Sequence, residues 1–275
     1  MKRFLLSLAV ILAYSTAAFS QTQIIAHRGY WKTEGSYENT VSSLQNAGQL
    51  GVFGSEFDVY ITTDHVLVVH HDPTIQGIRL EEASYERDLK DLVLPNGEKL
   101  PTLEEFLAEG AKIPGLRLIL ELKSHRRVVD EDRAVLAAVD LVRKYNLDDR
   151  VDYISFSMNM CKDLIRLVPS ADVYYLNGEV APADLKTLGF AGLDYEQHVL
   201  LKHPEWIKEA HDLGLKVNVW TVKAENIPAF IEMGVDFITT NDPVEGQELI
   251  RKQPTGPNSR KAMGANTFSD TGKRR

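Results

Sequence analysis

The chain has 275 residues, 44% of them hydrophobic, so it is long enough to bury one large core without demanding a second domain. Its 39 Asp and Glu against 31 Lys and Arg give a formal net charge of −8, which argues against a nucleic-acid partner, because phosphate backbones reward positive charge. Cys161 is the only cysteine, which excludes an intramolecular disulfide.

The chain begins "MKRFLLSLAVILAYSTAAFS": Lys2 and Arg3, an apolar stretch from Phe4, then small residues, with Ala18 and Ser20 at the minus-three and minus-one positions of a cut before Gln21. The apolar stretch is interrupted by Ser7, Tyr14, Ser15 and Thr16 and is short against the about 20 apolar residues of a membrane span. A cleaved signal peptide over 1–20 is therefore expected rather than a stable membrane anchor, and with it export to the periplasm or the cell exterior. No cysteine follows the cut, so lipid attachment there is excluded.

Short β-rich runs then alternate with helical patterns. The runs are "QIIAH" (23–27), "SEFDVYI" (55–61), "VLVVHH" (66–71), "LRLILELK" (116–123), "DYISFS" (152–157), "DVYYLN" (172–177), "AGLDYE" (191–196), "KVNVWTV" (216–222) and "DFITT" (236–240). Only Thr62 to His65 separate the second from the third, far fewer than the dozen or so residues a parallel crossover needs, so the third must return antiparallel as a hairpin. The remaining runs are separated by helix-length segments such as "EDRAVLAAVDLVRKYN" and "HPEWIKEAHDLG", and βα units repeated in this way predict a (β/α)₈ TIM barrel. A doubly wound sheet would carry a glycine-rich nucleotide loop that is absent here. The long interval 72–101 reads as an excursion over the active face, after which Thr102 and Glu105 form a capping box for the next helix. The barrel domain spans 21–252, and the basic stretch 253–275, rich in Pro, Gly, Ser and Asn, is expected to be a solvated, disordered tail.

In such a barrel the carboxyl ends of the strands converge on one face, where chemistry is done. Those ends carry His27 and Arg28, Glu56 and Asp58, Glu121 and Lys123. Residues two apart on a strand share a side, and a parallel barrel strand has no solvated face except at its ends, so these charges need partners. Three carboxylates make a hard oxygen set suited to Ca²⁺ or Mg²⁺. The hairpin returns "HHDP" to the same place, so His71 or His70 joins His27. Two histidines, an arginine, a lysine and three carboxylates describe phosphoryl chemistry, with imidazoles moving protons near neutral pH.

"AHRG", "ENT", "EFDVYITTD", "VVHHDPT", "LELK" and "VNVWTV", in this order over residues 23 to about 248, resemble the glycerophosphodiester phosphodiesterases. The resemblance implies that His27 and His71 are the acid/base pair, with His71 chosen because the aspartate follows it directly. It implies that Glu56, Asp58 and Glu121 hold one divalent cation, that Arg28 and Lys123 hold the phosphate, that Trp220 lines the pocket, and that Asn39 binds or orients groups near His27. The implied substrates are small-molecule glycerophosphodiesters of the glycerophosphocholine, glycerophosphoethanolamine and glycerophosphoinositol class, cleaved to glycerol 3-phosphate and an alcohol. The chain departs from the family's pattern at Tyr37, where a proline is usual, at His65, where a glycine is usual, after "HD", where an arginine and threonine pair is missing, and in "ITTNDP", where an aspartate often follows the threonine. These departures bear on head-group preference. Two other readings are a phosphatidylinositol-specific phospholipase C, against which the acidic triplet argues, and a catalytically inactive glycerophosphoryl-binding protein, against which the complete set of residues argues.

Overall fold

A computed structural model describes residues 21–252. The expected signal peptide and basic tail lie outside the described residues. All nine β-rich runs form strands, and two further strands of two residues each, with no periodicity to announce them, appear inside the long interval. In chain order the strands are β1 (Gln23–Ala26), β2 (Gly54–Ile61), β3 (Leu67–Val69), β4 (Thr74–Ile75), β5 (Ile78–Arg79), β6 (Arg117–Leu122), β7 (Val151–Ser155), β8 (Val173–Tyr175), β9 (Gly192–Glu196), β10 (Lys216–Trp220) and β11 (Phe237–Thr240). The helices are α1 (Val41–Leu50), α2 (Leu103–Gly110), α3 (Val128–Lys144), α4 (Met158–Leu167), α5 (Pro182–Leu188), α6 (Gln197–Lys202), α7 (Glu205–Asp212), α8 (Ile227–Met233) and α9 (Pro243–Arg251).

Parallel pairing runs β1-β11-β10-β9-β8-β7-β6-β2 and closes between β2 and β1, giving the expected eight-stranded barrel with helices between the strands. Alternation along each strand divides its side chains between two cores. Phe57, Leu118, Leu120, Tyr153, Leu193 and Val217 face outward into the layer beneath the helices, where Phe57 packs on Phe106 with ring centroids 4.5 Å apart. Ile25, Ile119, Ile154 and Tyr174 fill the barrel interior. Helix α3 shows the matching period, burying Ala134, Val135, Ala138, Val139 and Val142 along one stripe. Where β9 meets β10 a Cβ on Gly192 would lie 2.1 Å from the Lys216 carbonyl oxygen, so only glycine fits that close approach.

Strand β2, with 8 residues, outruns the other barrel strands, and this positions the site. Its first half pairs with β1 through Ile25–Gly54 and Ala26–Ser55, while its far end pairs antiparallel with β3 through Val59–Val69 and Ile61–Leu67. The hairpin therefore stands above the carboxyl end of β1 and carries His70 and His71 back over the mouth. The interval 72–101 packs against this hairpin around a small core of its own, built from Tyr60, Val68, Leu80, Leu89 and Leu100. Thr102 caps α2 with Glu105 closing the box, as the sequence predicts. Among the described residues no helix is long and apolar enough to cross a membrane.

Candidate active site

The loop after β1 winds tightly around one carboxylate. Arg28 adopts φ +57° and Gly29 φ +77°, turning successive backbone N–H groups toward β2. Arg28 N–H donates to Glu56 Oε2 at 2.8 Å and Gly29 N–H to the Glu56 carbonyl oxygen at 3.1 Å. A Cβ on Gly29 would sit 2.4 Å from Ser43 Oγ, so the turn also needs glycine for space. A left-handed arginine costs about 1–2 kcal/mol, strain that the surrounding hydrogen bonds hold in place.

Glu56 and Asp58 on β2 and Glu121 on β6 point into the mouth and are buried, with one oxygen from each lying within 4.8 Å of the others. The register aligns Asp58 with Glu121. Lys123 Nζ lies 2.9 Å from Asp58 Oδ1 and 2.7 Å from Glu121 Oε1. Asn39, at φ +59°, donates from Nδ2 to Asp58 Oδ2 at 2.8 Å and accepts from the Asp58 N–H at 3.1 Å, so its whole amide is spent on orienting that carboxylate. The left-handed turn at Asn39 comes just before helix α1, which starts at Val41 with Thr40 as its cap.

Electrostatics follow from this crowding. Burial, reinforced by Asp58 and Glu121, pushes the Glu56 carboxyl well above its ordinary range, and burial with Asp58 raises Glu121 to about 7. For Asp58 burial works upward but is outweighed by Lys123, His71 and Asn39, which hold the carboxyl far below the usual value. Burial opposes the charge on Lys123, yet Asp58 and Glu121 raise its pKa. Glu56 Oε1 is buried without a hydrogen-bond partner. Three crowded carboxyl groups with an orphaned oxygen fit a hard divalent cation, which would satisfy Glu56 and lower the raised pKa values of Glu56 and Glu121.

His27 stands half-buried beside this group, its Nε2 3.9 Å from Glu56 Oε2 and its Nδ1 2.8 Å from Asn241 Oδ1. Burial, with help from the Arg28 charge, lowers its pKa to about 4, so the ring is neutral at physiological pH. His71, half-buried at the hairpin end, has Nδ1 2.7 Å from Asp72 Oδ1 and is close enough for its charge to act on both His27 and Asp58. Arg28 reaches Glu38 at 2.8 Å and Asp58 at 3.8 Å. Trp220 closes the far side, donating from Nε1 to the Asp194 carbonyl at 3.0 Å and packing edge-on against Phe156 at 5.7 Å. Every residue singled out from the sequence thus lies at the same end of the barrel.

Two residues of this end and one beneath it were not among them. Glu38 sits inside the quoted "ENT", and Asn241 is the asparagine noted in "ITTNDP". Asp194 lies below them in the barrel interior, buried, with Oδ1 unpartnered, and burial lifts its carboxyl to about 8. Its signal was the same alternation that exposes Glu56 and Asp58, a charged residue between Leu193 and Tyr195.

The model of the glycerophosphoryl diester phosphodiesterase family matches residues 27–245. A glycerophosphodiester phosphodiesterase of Caldanaerobacter subterraneus subsp. tengcongensis is 29% identical over 249 residues, 84% of this chain and 99% of that protein. The crystal structure of a glycerophosphodiester phosphodiesterase from Parabacteroides distasonis superposes with a TM-score of 0.83 at 51% identity, covering 84% of this chain and 97% of that one. An Oleispira antarctica phosphodiesterase, solved in complex with the product sn-glycerol-3-phosphate, has the same fold at a TM-score of 0.74 and 24% identity over 84% of this chain and 98% of that one. With the match running from His27, just past the first barrel strand, into helix α9, the chain belongs to the glycerophosphoryl diester phosphodiesterase family and is a phosphoric diester hydrolase.

Proposed function

We propose that this enzyme hydrolyses small glycerophosphodiesters, of the glycerophosphocholine, glycerophosphoethanolamine and glycerophosphoinositol class, to glycerol 3-phosphate and an alcohol, using His27 and His71 as the proton-transfer pair and one Ca²⁺ or Mg²⁺. The observation that carries this reading is the convergence of two histidines from separate strand ends on a buried carboxylate triplet that Arg28 and Lys123 flank. The sn-glycerol-3-phosphate held by the Oleispira enzyme supports the product.

Glu56, Asp58 and Glu121 would hold the cation, which when bound supplies charge stabilisation for a phosphorane-like transition state. Neutral His27 accepts a proton from the glycerol hydroxyl next to the phosphate as that oxygen attacks phosphorus. His71 donates a proton to the departing alkoxide, and water then opens the cyclic phosphate with the two proton transfers reversed. Once a substrate phosphate enters, Arg28 and Lys123 turn part of their charge from Asp58 toward its oxygens. Trp220 and Phe156 form the apolar wall against which the organic part rests.

The test is product analysis over a panel of glycerophosphodiesters, with chelator and with Ca²⁺ or Mg²⁺ added back. Glycerol 3-phosphate should form, chelation should abolish it, and His27→Ala should lower turnover at least about 100-fold. Chelator-resistant release of cyclic inositol phosphate from intact lipid would replace this reading with the phospholipase. The N-terminal residues 1–20 support export, and a secreted or periplasmic product starting at Gln21 on N-terminal sequencing is the expected result.

A further inference from the structure

We infer that Asn241 is a positioning residue for His27, fixing the imidazole in the tautomer that carries its proton on Nδ1 and its lone pair on Nε2. The inference rests on the role of His27 proposed above. His27 and Asn241 stand 214 positions apart in the chain and side by side in the barrel, because β1 pairs with β11 and the His27 N–H donates to the Thr240 carbonyl at 3.0 Å.

Both neighbours of Asn241 are pinned. The Thr240 hydroxyl donates to the Val222 carbonyl at 2.5 Å and accepts from the Asp242 N–H at 3.0 Å. The Asp242 carbonyl accepts the first helical hydrogen bond of α9, from Gly246 at 3.0 Å, and its carboxylate pairs with Lys32 of the β1 loop at 2.6 Å. Asn241 therefore has little freedom except about its own side-chain torsions, and its Oδ1 stands 2.8 Å from His27 Nδ1.

An amide oxygen can only accept, so Nδ1 must donate, and Nε2 is left as the atom that faces the carboxylates and takes the proton. The contact survives catalysis unchanged, because a doubly protonated ring still donates from Nδ1. With the amide reversed, Nδ2–H would occupy the Nδ1 lone pair and force the proton onto Nε2, and the ring could accept nothing at the face that matters. A neutral amide also orients the ring without bringing a fourth carboxylate beside three that already repel one another.

The experiment uses the mature enzyme with Mg²⁺. Two-bond ¹H–¹⁵N correlations of ¹⁵N-histidine-labelled protein, with His27 assigned by difference from His27→Gln, report the tautomer directly. Kinetics with glycerophosphocholine compare Asn241→Leu, which has no acceptor, with Asn241→Asp, which keeps one. The expected results are an Nδ1–H tautomer in the wild type, a loss in kcat on the order of 100-fold with little change in KM for Asn241→Leu, and recovery to within about tenfold for Asn241→Asp. An Nε2–H tautomer in the wild type overturns the inference, as does a normal kcat in Asn241→Leu or an Asn241→Asp enzyme as slow as Asn241→Leu. If Asn241→Leu does not fold, the wild-type tautomer and Asn241→Asp decide. Should His27→Ala turn over normally, the catalytic reading fails, while the tautomer measurement still judges the hydrogen bond by itself.

Discussion

The two histidines of "HHDP" differ in what their rings touch. Burial lowers the pKa of His70, and its ring is tied to the backbone of Thr74 within its own loop, while its N–H donates to the Asp58 carbonyl at 2.9 Å as part of the hairpin. His71, one residue further from the strand, engages Asp72 through Nδ1, and its charge acts on Asp58 and His27. Adjacent residues on an extended chain diverge, so both cannot serve one phosphate. His71→Ala is expected to lower kcat at least about 100-fold, and His70→Gln by less than tenfold with some loss of thermal stability. Steady-state kinetics on the two purified variants checks this, and the reverse ranking would hand the proton transfer to His70. Charged residues at strand ends made His27, Glu56, Asp58, Glu121 and Lys123 legible in the sequence, the last four also by their spacing of two. Asn241 was quoted but given no role, because its partner stands at the other end of the chain and only barrel closure joins them.

At the scale of elements, the strands and most helices were legible because each barrel strand is an apolar run and each long helix an apolar stripe. What was hidden is local backbone: β4 and β5 are too short to carry a period, Tyr85–Leu89 forms a single π turn, and Asn39 turns left-handed just before α1. The hairpin turn is a further instance. His65 sits at φ +63°, with its N–H donating to the Thr62 carbonyl at 3.0 Å, while Asp64 gathers the Thr62 and Ser84 hydroxyls and two N–H groups at 85 and 86. The turn thus explains why glycine would suit position 65. Left-handed backbone costs a non-glycine residue about 1–2 kcal/mol, against about 0.5–1 kcal/mol of extra chain entropy lost by glycine. His65→Gly is expected to stabilise by about 0.5–1 kcal/mol, raising Tm by about 1–4 °C with kcat unchanged. A lower Tm in thermal unfolding would mean that the His65 side chain makes a compensating contribution.

For the whole molecule, the interior acids and histidines set a pH dependence whose sign can be worked out for the metal-free protein. His27 has a folded pKa lowered to about 4 from 6.5, so its unfolded form binds the extra proton and stability rises with pH up to about 6.5, then stays level. Burial raises Asp194 from 3.8 to about 8 and Glu121 from 4.5 to about 7, so there the folded state holds the extra proton. Their stability is fully present below the unfolded pKa and is lost as pH rises through the folded value. The opposing contributions overlap below pH 6.5, whereas between about 6.5 and 8 only the loss remains. In chelator, unfolding free energy should therefore fall across that window. Asp194→Asn removes one titration while keeping the shape of the protonated acid, so its advantage over the wild type should grow by about 1.4 kcal/mol per pH unit from about pH 5 and level off above 8. A divalent cation, which needs the Glu56 and Glu121 carboxylates ionised, should restore more stability at pH 8 than at pH 5, because at the lower pH it must first displace protons. Urea titrations of both proteins at several pH values, with chelator and with Mg²⁺, measure all of this. Parallel pH curves for Asp194→Asn and wild type would mean that Asp194 is ionised inside the barrel, with a partner for its Oδ1 supplied by ordered water.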